Sequence, residues 1–267
     1  MINKTPRILL TNDDSIDSPG LWAAAEALSR LGYVEVVSPR EQQTAMGRSF
    51  PRSHDLIIKS QFLTVHGKEW TVYAIGGSPA QAVRYGLLEL GEKPDLVVSG
   101  INYGENIANG ITISGTVGAA LEAASVGIPS IAISLETNPA HHYDLSDSVD
   151  FAAAGYFCAY FAEKMLTQKL PFDVDLLKID VPADATPETG WEITRQSRTR
   201  YYYPFLRQAA SEGKGSVYGY YASLEEEVVE SDSDVFVMAS QHKVSVTPLS
   251  IDMTSRVDFG NLKALLS

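Results

Sequence analysis

The chain has 267 residues, 33 acidic and 21 basic, a formal net charge of −12. Apolar residues make up 45% and charged residues 20%, usage that supports a sizeable core and argues against a disordered chain. The acidic balance argues against a general nucleic-acid or anionic-membrane binder, yet leaves a small anionic substrate open if a metal or local dipoles supply positive charge.

The first two-thirds alternates strand-like and helix-like segments, the pattern of a parallel α/β sheet. Residues 7–11 read as a buried first strand. Ser18-Pro19 then supplies an N-cap and a proline at the first helical position, with Leu21, Ala24, Ala25, Leu28 and Leu31 at helical spacing and Gly32 at the end. A second strand follows at 33–37, and extended segments at 55–59, 62–66 and 69–75, the last two joined by a turn at Gly67-Lys68. Ser78-Pro79 repeats the cap-plus-proline device before a helix closed by Gly91. Residues 95–99 form the clearest buried strand, and a glycine- and asparagine-rich loop, 100–115, leads into a helix that Gly127 ends. A strand at 130–134, a strongly apolar helix at 147–166 and a strand at 176–181 complete this body. Beyond it, 191–203, 216–221 and 235–247 are strand-like without helices between them, and a short helix lies near 261–265. The expected organisation is one α/β domain: a body over 1–190, a β-hairpin and oligomerisation extension over 191–250, and a C-terminal helix over 251–267.

Cys158 is the only cysteine, which excludes an internal disulfide and a multi-cysteine zinc site, and its apolar neighbours make it a core residue. No apolar run approaches the ~18 residues of a membrane span, and Ile8-Leu9-Leu10 is too short for a signal-peptide core, so the expected location is the cytoplasm.

In parallel α/β sheets the working site lies beyond the carboxyl ends of the strands, and three polar loops fall there: 11–15, 39–50 and 99–116. Asp13 and Asp14 are adjacent just past the first strand, where the chain turns and both carboxylates can converge. Such a pair repels itself unless protonated or neutralised by a cation, and an all-oxygen setting suits Mg²⁺ or Mn²⁺; the plainer reading makes both turn and cap residues. Ser114-Gly115-Thr116 opens a helix whose free N–H groups could receive an anion, or Ser114 or Thr116 simply caps it. Asn102, three residues beyond Ser99, can reach the strand-end cleft.

Gly76-Gly77-Ser78-Pro79-Ala80 resembles a nucleophile elbow, but the oxyanion hole of such enzymes needs the N–H of the residue after the serine, and Pro79 has none. The dinucleotide fingerprint and Walker lysine motif are absent, and the five histidines show no metal-ligand spacing, His141-His142 reading as surface loop. The acidic stretch 225–234 reads as a solvated loop. Arg198-Thr199-Arg200-Tyr201-Tyr202-Tyr203 interleaves base and aromatic, either to stack a nucleobase or as a hairpin arm on a partner subunit.

Four ordered blocks now carry a resemblance: Ile8-Leu9-Leu10-Thr11-Asn12-Asp13-Asp14 with Ser18-Pro19-Gly20-Leu21; Val97-Val98-Ser99-Gly100-Ile101-Asn102-Tyr103-Gly104-Glu105-Asn106; Ile113-Ser114-Gly115-Thr116-Val117-Gly118; and Val244-Ser245-Val246-Thr247-Pro248-Leu249. Over nearly its whole length the sequence resembles the SurE family of survival-protein nucleotidases. The resemblance implies a Rossmann-like, mostly parallel sheet flanked by helices, with a C-terminal β-hairpin extension. It implies a metal-dependent phosphatase of the acid-phosphatase type acting on nucleoside 5′-monophosphates, with 3′-monophosphates as a further substrate class, and one divalent cation, Mg²⁺ or Mn²⁺, per subunit.

Carried over by position, the metal ligands are Asp13, Asp14, Asn102 and Thr44, with Ser49 as the fallback for Thr44; the family has serine at that position. Ser15 stands where glycine is usual, so the turn there is expected to differ. Asp13, Asp14 and Asn102 are the expected catalytic residues. Asn106, Ser114, Gly115 and Thr116 are expected to receive the phosphate, and Asp14 is the first candidate for general acid. The hairpin region is expected to join a homodimer or homotetramer. Two alternatives stay open: a non-catalytic nucleotide-binding module that kept the fold, supported only by Thr44 and Ser15, and a serine hydrolase using Ser78.

Overall fold

The computed structural model describes residues 5–52, 58–89, 91–142, 144–208, 216–223 and 229–267. In chain order the elements are β1 (Arg7–Thr11), α1 (Pro19–Leu28), β2 (Tyr33–Pro39), β3 (Ile58–Val65), β4 (Lys68–Ile75), α2 (Pro79–Glu89), β5 (Leu96–Tyr103), α3 (Gly115–Ala124), β6 (Ser130–Leu135), α4 (Ala152–Thr167), β7 (Leu176–Val181), β8 (Trp191–Ile193), β9 (Tyr202–Gln208), β10 (Ser216–Ala222), α5 (Asp234–Ala239), β11 (Val244–Leu249) and α6 (Phe259–Leu266).

Nine strands form one sheet in the order β3-β4-β2-β1-β5-β6-β7-β11-β8, while β9 and β10 pair separately. All neighbours are parallel except β3–β4 and β7–β11, so the fold is the mostly parallel, Rossmann-like sheet with a hairpin that was expected. Alternation along β1 assigns its faces: Ile8 and Leu10 pack into a core with Leu21, Leu28 and Phe157 of α1 and α4, and Leu9 into a core with Val83 and Ala119 of α2 and α3. Both faces being covered, β1, β5 and β6 are uninterrupted buried runs. Cys158 is fully buried in α4. Among the described residues no helix is long and apolar enough to cross a membrane.

Several expected boundaries shift. The two extended segments at 55–59 and 62–66 are one strand, β3, where described; its turn is His66-Gly67, both at positive φ, with Val65 opposite Lys68. The helix expected from 147 starts at Ala152, because Asp144, Ser146 and Asp150 side chains accept the N–H groups of Ser146, Ser148 and Ala152 and hold the preceding turn out of the helix. The stretch 235–247 is not one strand: Ser233 Oγ accepts the Phe236 N–H and caps α5, and only then does β11 begin. β8 and β11 both join the main sheet, so among the described residues the hairpin within 191–250 is β9–β10.

Sheet order reverses at β1, whose neighbours are β2 on one side and β5 on the other. The crevice beyond the carboxyl ends of β1 and β5 is therefore the topological switch point of the sheet, where ligands bind in open α/β folds.

Candidate functional site

At that crevice a cavity of about 580 Å³ opens, lined on its floor by Asp13, Asp14 and Asn102. Its volume is within the range of small-molecule sites.

Asn12 and Ser38 fasten the end of β1 to β2, Ser38 Oγ donating to Asn12 Oδ1 at 2.5 Å. The chain then turns through Ser15 at φ 90°, a left-handed conformation that glycine adopts freely and that costs a serine roughly 1 kcal/mol. The turn brings both carboxylates to the crevice, each almost wholly buried. Asp13 Oδ1 accepts the Thr116 hydroxyl at 2.6 Å. Asp14 Oδ2 accepts the Tyr103 N–H at 3.0 Å, and Oδ1 accepts Gln42 Nε2 at 3.0 Å. Gln42 also donates to the His142 carbonyl at 2.6 Å. Burial raises the pKa of both aspartates, and the charge of Asp13 raises that of Asp14 further.

β5 continues through Tyr103, beyond the expected end at Ser99, and its register with β6 shifts between Ser99 and Asn102. Irregularities of this kind re-aim side chains at active sites. Asn102 Nδ2 donates to the carbonyls of Tyr103 and Gly104 at 3.2 and 2.6 Å, which leaves Oδ1 as the atom it can offer a ligand. Thr44 lines the cavity; Ser49 does not, and its carbonyl accepts Ser78 Oγ at 2.6 Å.

The four residues expected to receive phosphate divide. Asn106 and Ser114 line the cavity, Ser114 also capping α3 by accepting the Val117 N–H at 3.1 Å. Gly115 and Thr116 do not line it. Thr116 is fully buried with its hydroxyl spent on Asp13, and the Gly115 and Thr116 N–H groups favour the charged form of Asp13. The N-terminus of α3 thus already faces one anion, Asp13, on the side of Gly115 and Thr116, while its cap Ser114 stays at the cavity.

Two further expectations are overturned. His142 is buried at the cavity wall: its Nδ1 lies 2.7 Å from the Tyr220 hydroxyl, and its ring occupies the space a side chain on Gly104 would take, 2.4 Å from Nε2. Burial lowers its pKa. Asp234, assigned to a solvated acidic run, is fully buried against Lys178; Glu225, Glu226 and Glu227 lie outside the described residues.

Arg200, Tyr202, Pro204 and Tyr220 of the hairpin region form the opposite wall. The Tyr202 hydroxyl donates to Glu105 Oε1 at 2.5 Å, and the Tyr202 and Tyr220 rings meet edge to face at 5.4 Å. The Arg198–Tyr203 interleaving signalled this wall; Gln42, Glu105 and His142 carried no such signal, because their partners are 28 to 100 residues away in the chain.

The donor set fits a hard divalent cation. Two adjacent buried carboxylates, an amide-bearing asparagine and a threonine line one cavity, and the hydrogen bonds described for the carboxylates come from neutral donors. Four protein donors are fewer than the about six that a hard divalent cation such as Mg²⁺ takes, so this set would leave coordination positions for water and substrate.

Comparison with known proteins places the chain and its fold in a family. The family model for survival protein SurE matches residues 8–203. The 5′-nucleotidase SurE of Thermococcus kodakarensis is 41% identical over 260 residues, covering 97% of this chain and 98% of its own. That of Thermococcus gammatolerans is 42% identical, covering 97% and 96%. The crystal structure of the SurE protein from Aquifex aeolicus superposes with a TM-score of 0.77 at 31% identity, covering 98% of this chain and all of that one. The chain belongs to the SurE survival-protein family.

Proposed function

We propose that the protein hydrolyses the phosphomonoester of nucleoside 5′-monophosphates, with 3′-monophosphates as a second substrate class, using one Mg²⁺ or Mn²⁺ per subunit. The buried Asp13–Asp14 pair at the floor of a nucleotide-sized cavity carries this reading, and the relatives named 5′-nucleotidase support it. Asp13, Asp14, Asn102 and Thr44 would hold the cation, which supplies Lewis acidity to a phosphoryl oxygen and acidifies water.

The protein's own groups do the positioning. Thr116 orients Asp13, while Gln42 and the Tyr103 N–H orient Asp14, so both carboxylates are held before a ligand arrives. Both Asp14 oxygens accept hydrogen bonds, which suits ligation better than delivery of a proton to the leaving alcohol. Asn106 and Ser114 face the phosphate, and the wall of Tyr202, Tyr220 and Arg200 offers stacking surface to the nucleoside. Neither sequence departure favours a non-catalytic binding module: Thr44 keeps its hydroxyl at the cavity and Ser15 adopts the turn. The reading includes a cytoplasmic enzyme and a homodimer or homotetramer formed through the hairpin, whose exposed Leu206 and Phe205 support a covered surface.

The test is phosphate release from 5′-AMP, 5′-GMP and 3′-AMP with Mg²⁺, Mn²⁺ or chelator. Turnover should require the metal and fall by roughly 10³-fold or more in Asp13→Asn. Undiminished turnover by chelator-treated Asp13→Asn protein would overturn the metal mechanism.

A further inference from the structure

Lys178 stands in the middle of β7 with no exposed surface. A buried ammonium is retained only when paired and hydrogen-bonded. Lys178 Nζ donates to Asp180 Oδ2 and, at 3.1 Å, to Asp234 Oδ2, both carboxylates being equally buried. One cation against two carboxylates leaves a formal charge of −1, which backbone N–H groups meet. Asn106 donates to Asp180 Oδ1 at 2.7 Å. Ala108 donates to Asp234 Oδ2 at 3.0 Å, and Ser197 and Val235 each donate to Asp234 Oδ1 at 2.9 Å.

Of these donors Asn106 lines the cavity itself, Ala108 and Ser197 belong to segments that continue into its two walls, and Val235 belongs to α5. Asn106 and Ala108 belong to the loop after β5 that faces the candidate phosphate position. Ser197 belongs to the segment leading into β9, whose hairpin forms the opposite wall. Asn106 has a second tether, its Nδ2 donating to Ser134 Oγ at 2.8 Å.

We propose that Asp180 and Asp234, clamped by Lys178, are positioning residues that hold Asn106 toward the substrate phosphate and set the spacing between the β5 loop and the hairpin wall. They act through Asn106, Ala108 and Ser197 and do not touch substrate. A network serving stability alone could use any buried acceptor; three of the four amides this one binds, those of Asn106, Ala108 and Ser197, lie on the segments that carry the two walls. The proposal rests on the phosphomonoesterase reading for its kinetic consequence but not for its structural one.

The experiment compares full-length Asp180→Asn, which keeps an acceptor for the Asn106 N–H, with Asp180→Leu, which removes it. Three quantities are read below the melting temperature of each variant: inhibition by inorganic phosphate, the Mn²⁺ concentration giving half-maximal turnover, and hydrogen exchange over residues 104–109. In Asp180→Leu the phosphate inhibition constant should rise about tenfold and exchange over 104–109 should accelerate, while the Mn²⁺ requirement stays within about twofold. Asp180→Asn should lie near wild type on all three. If Asp180→Leu does not fold, Lys178→Met/Asp180→Leu, which removes both charges together, is read the same way. Wild-type phosphate inhibition and exchange in the folded variant would overturn the proposal. Wild-type protein without turnover on any nucleotide would overturn the functional reading instead, and exchange over 104–109 would then decide the positioning role.

Discussion

Replacing Gly115 with alanine would place a methyl carbon 2.7 Å from Asp13 Oδ2, 2.9 Å from its Cβ and 3.2 Å from its Cγ. Ordinary contacts between non-bonded heavy atoms lie near 3.5 Å, so the overlap is about 0.6 Å with Cβ and about 0.8 Å with Oδ2. Gly115 opens α3 in ordinary helical backbone, where alanine is a better helix former by up to about 1 kcal/mol, so the helix itself should not weaken. The strain falls on Asp13, whose carboxylate is tied on its other oxygen to Thr116 at 2.6 Å and cannot swing freely. A functional constellation tolerates roughly 0.5 Å, and a displacement of about 1 Å can cost about 10²-fold in rate. Gly115→Ala should therefore lose about 10- to 100-fold in kcat/KM for 5′-AMP and need more Mn²⁺, with melting temperature unchanged or raised. Steady-state phosphate release across a Mn²⁺ titration, beside a thermal melt, measures both. Wild-type kcat/KM and Mn²⁺ requirement in a normally folded Gly115→Ala protein would refute the view that this glycine exists to make room for Asp13.

Two further outcomes follow from other positions. Ser78 Oγ accepts the Gln81 N–H at 3.1 Å and donates to the Ser49 carbonyl, so Ser78→Ala should cost about 1 kcal/mol in a urea melt and leave turnover intact; a large loss of turnover would revive the serine-hydrolase alternative. Burial raises the Glu105 carboxyl from an ordinary 4.5 to about 7. Between those values the folded protein keeps a proton the unfolded chain has released, so stability is full below pH 4.5 and falls as pH rises through 7. Glu105→Gln should flatten that fall, which is on the order of 3 kcal/mol, in denaturant melts at pH 4.5 to 8; an unchanged slope would show that Glu105 does not titrate there.

Much of the body was legible locally. β1 and β5 lie between helices on both faces, so their apolar runs are unbroken and the polar residues at their ends stand out. Asp13, Asp14 and Asn102 stand out as candidates for that reason: the aspartates follow β1, and Asn102 lies at the carboxyl end of β5. α5 is not legible locally because its six residues are too few to display helical periodicity, and its start rests on one serine. His142 was misplaced because its burial depends on Tyr220, 78 residues on, and on the missing side chain of Gly104.

The net charge of −12 and the ordered motifs determined the class of molecule, the order of its elements and the carboxylate pair at its centre. Only the tertiary structure decided which oxygen is already committed. It gave the α3 N-terminus and the Thr116 hydroxyl to Asp13, buried Asp234 against Lys178, and turned the Arg198–Tyr203 stretch into a cavity wall. The physical reason is the same in each case. Propensity and periodicity act over a few residues, whereas a buried polar atom must find its partner wherever the fold brings one within about 3 Å.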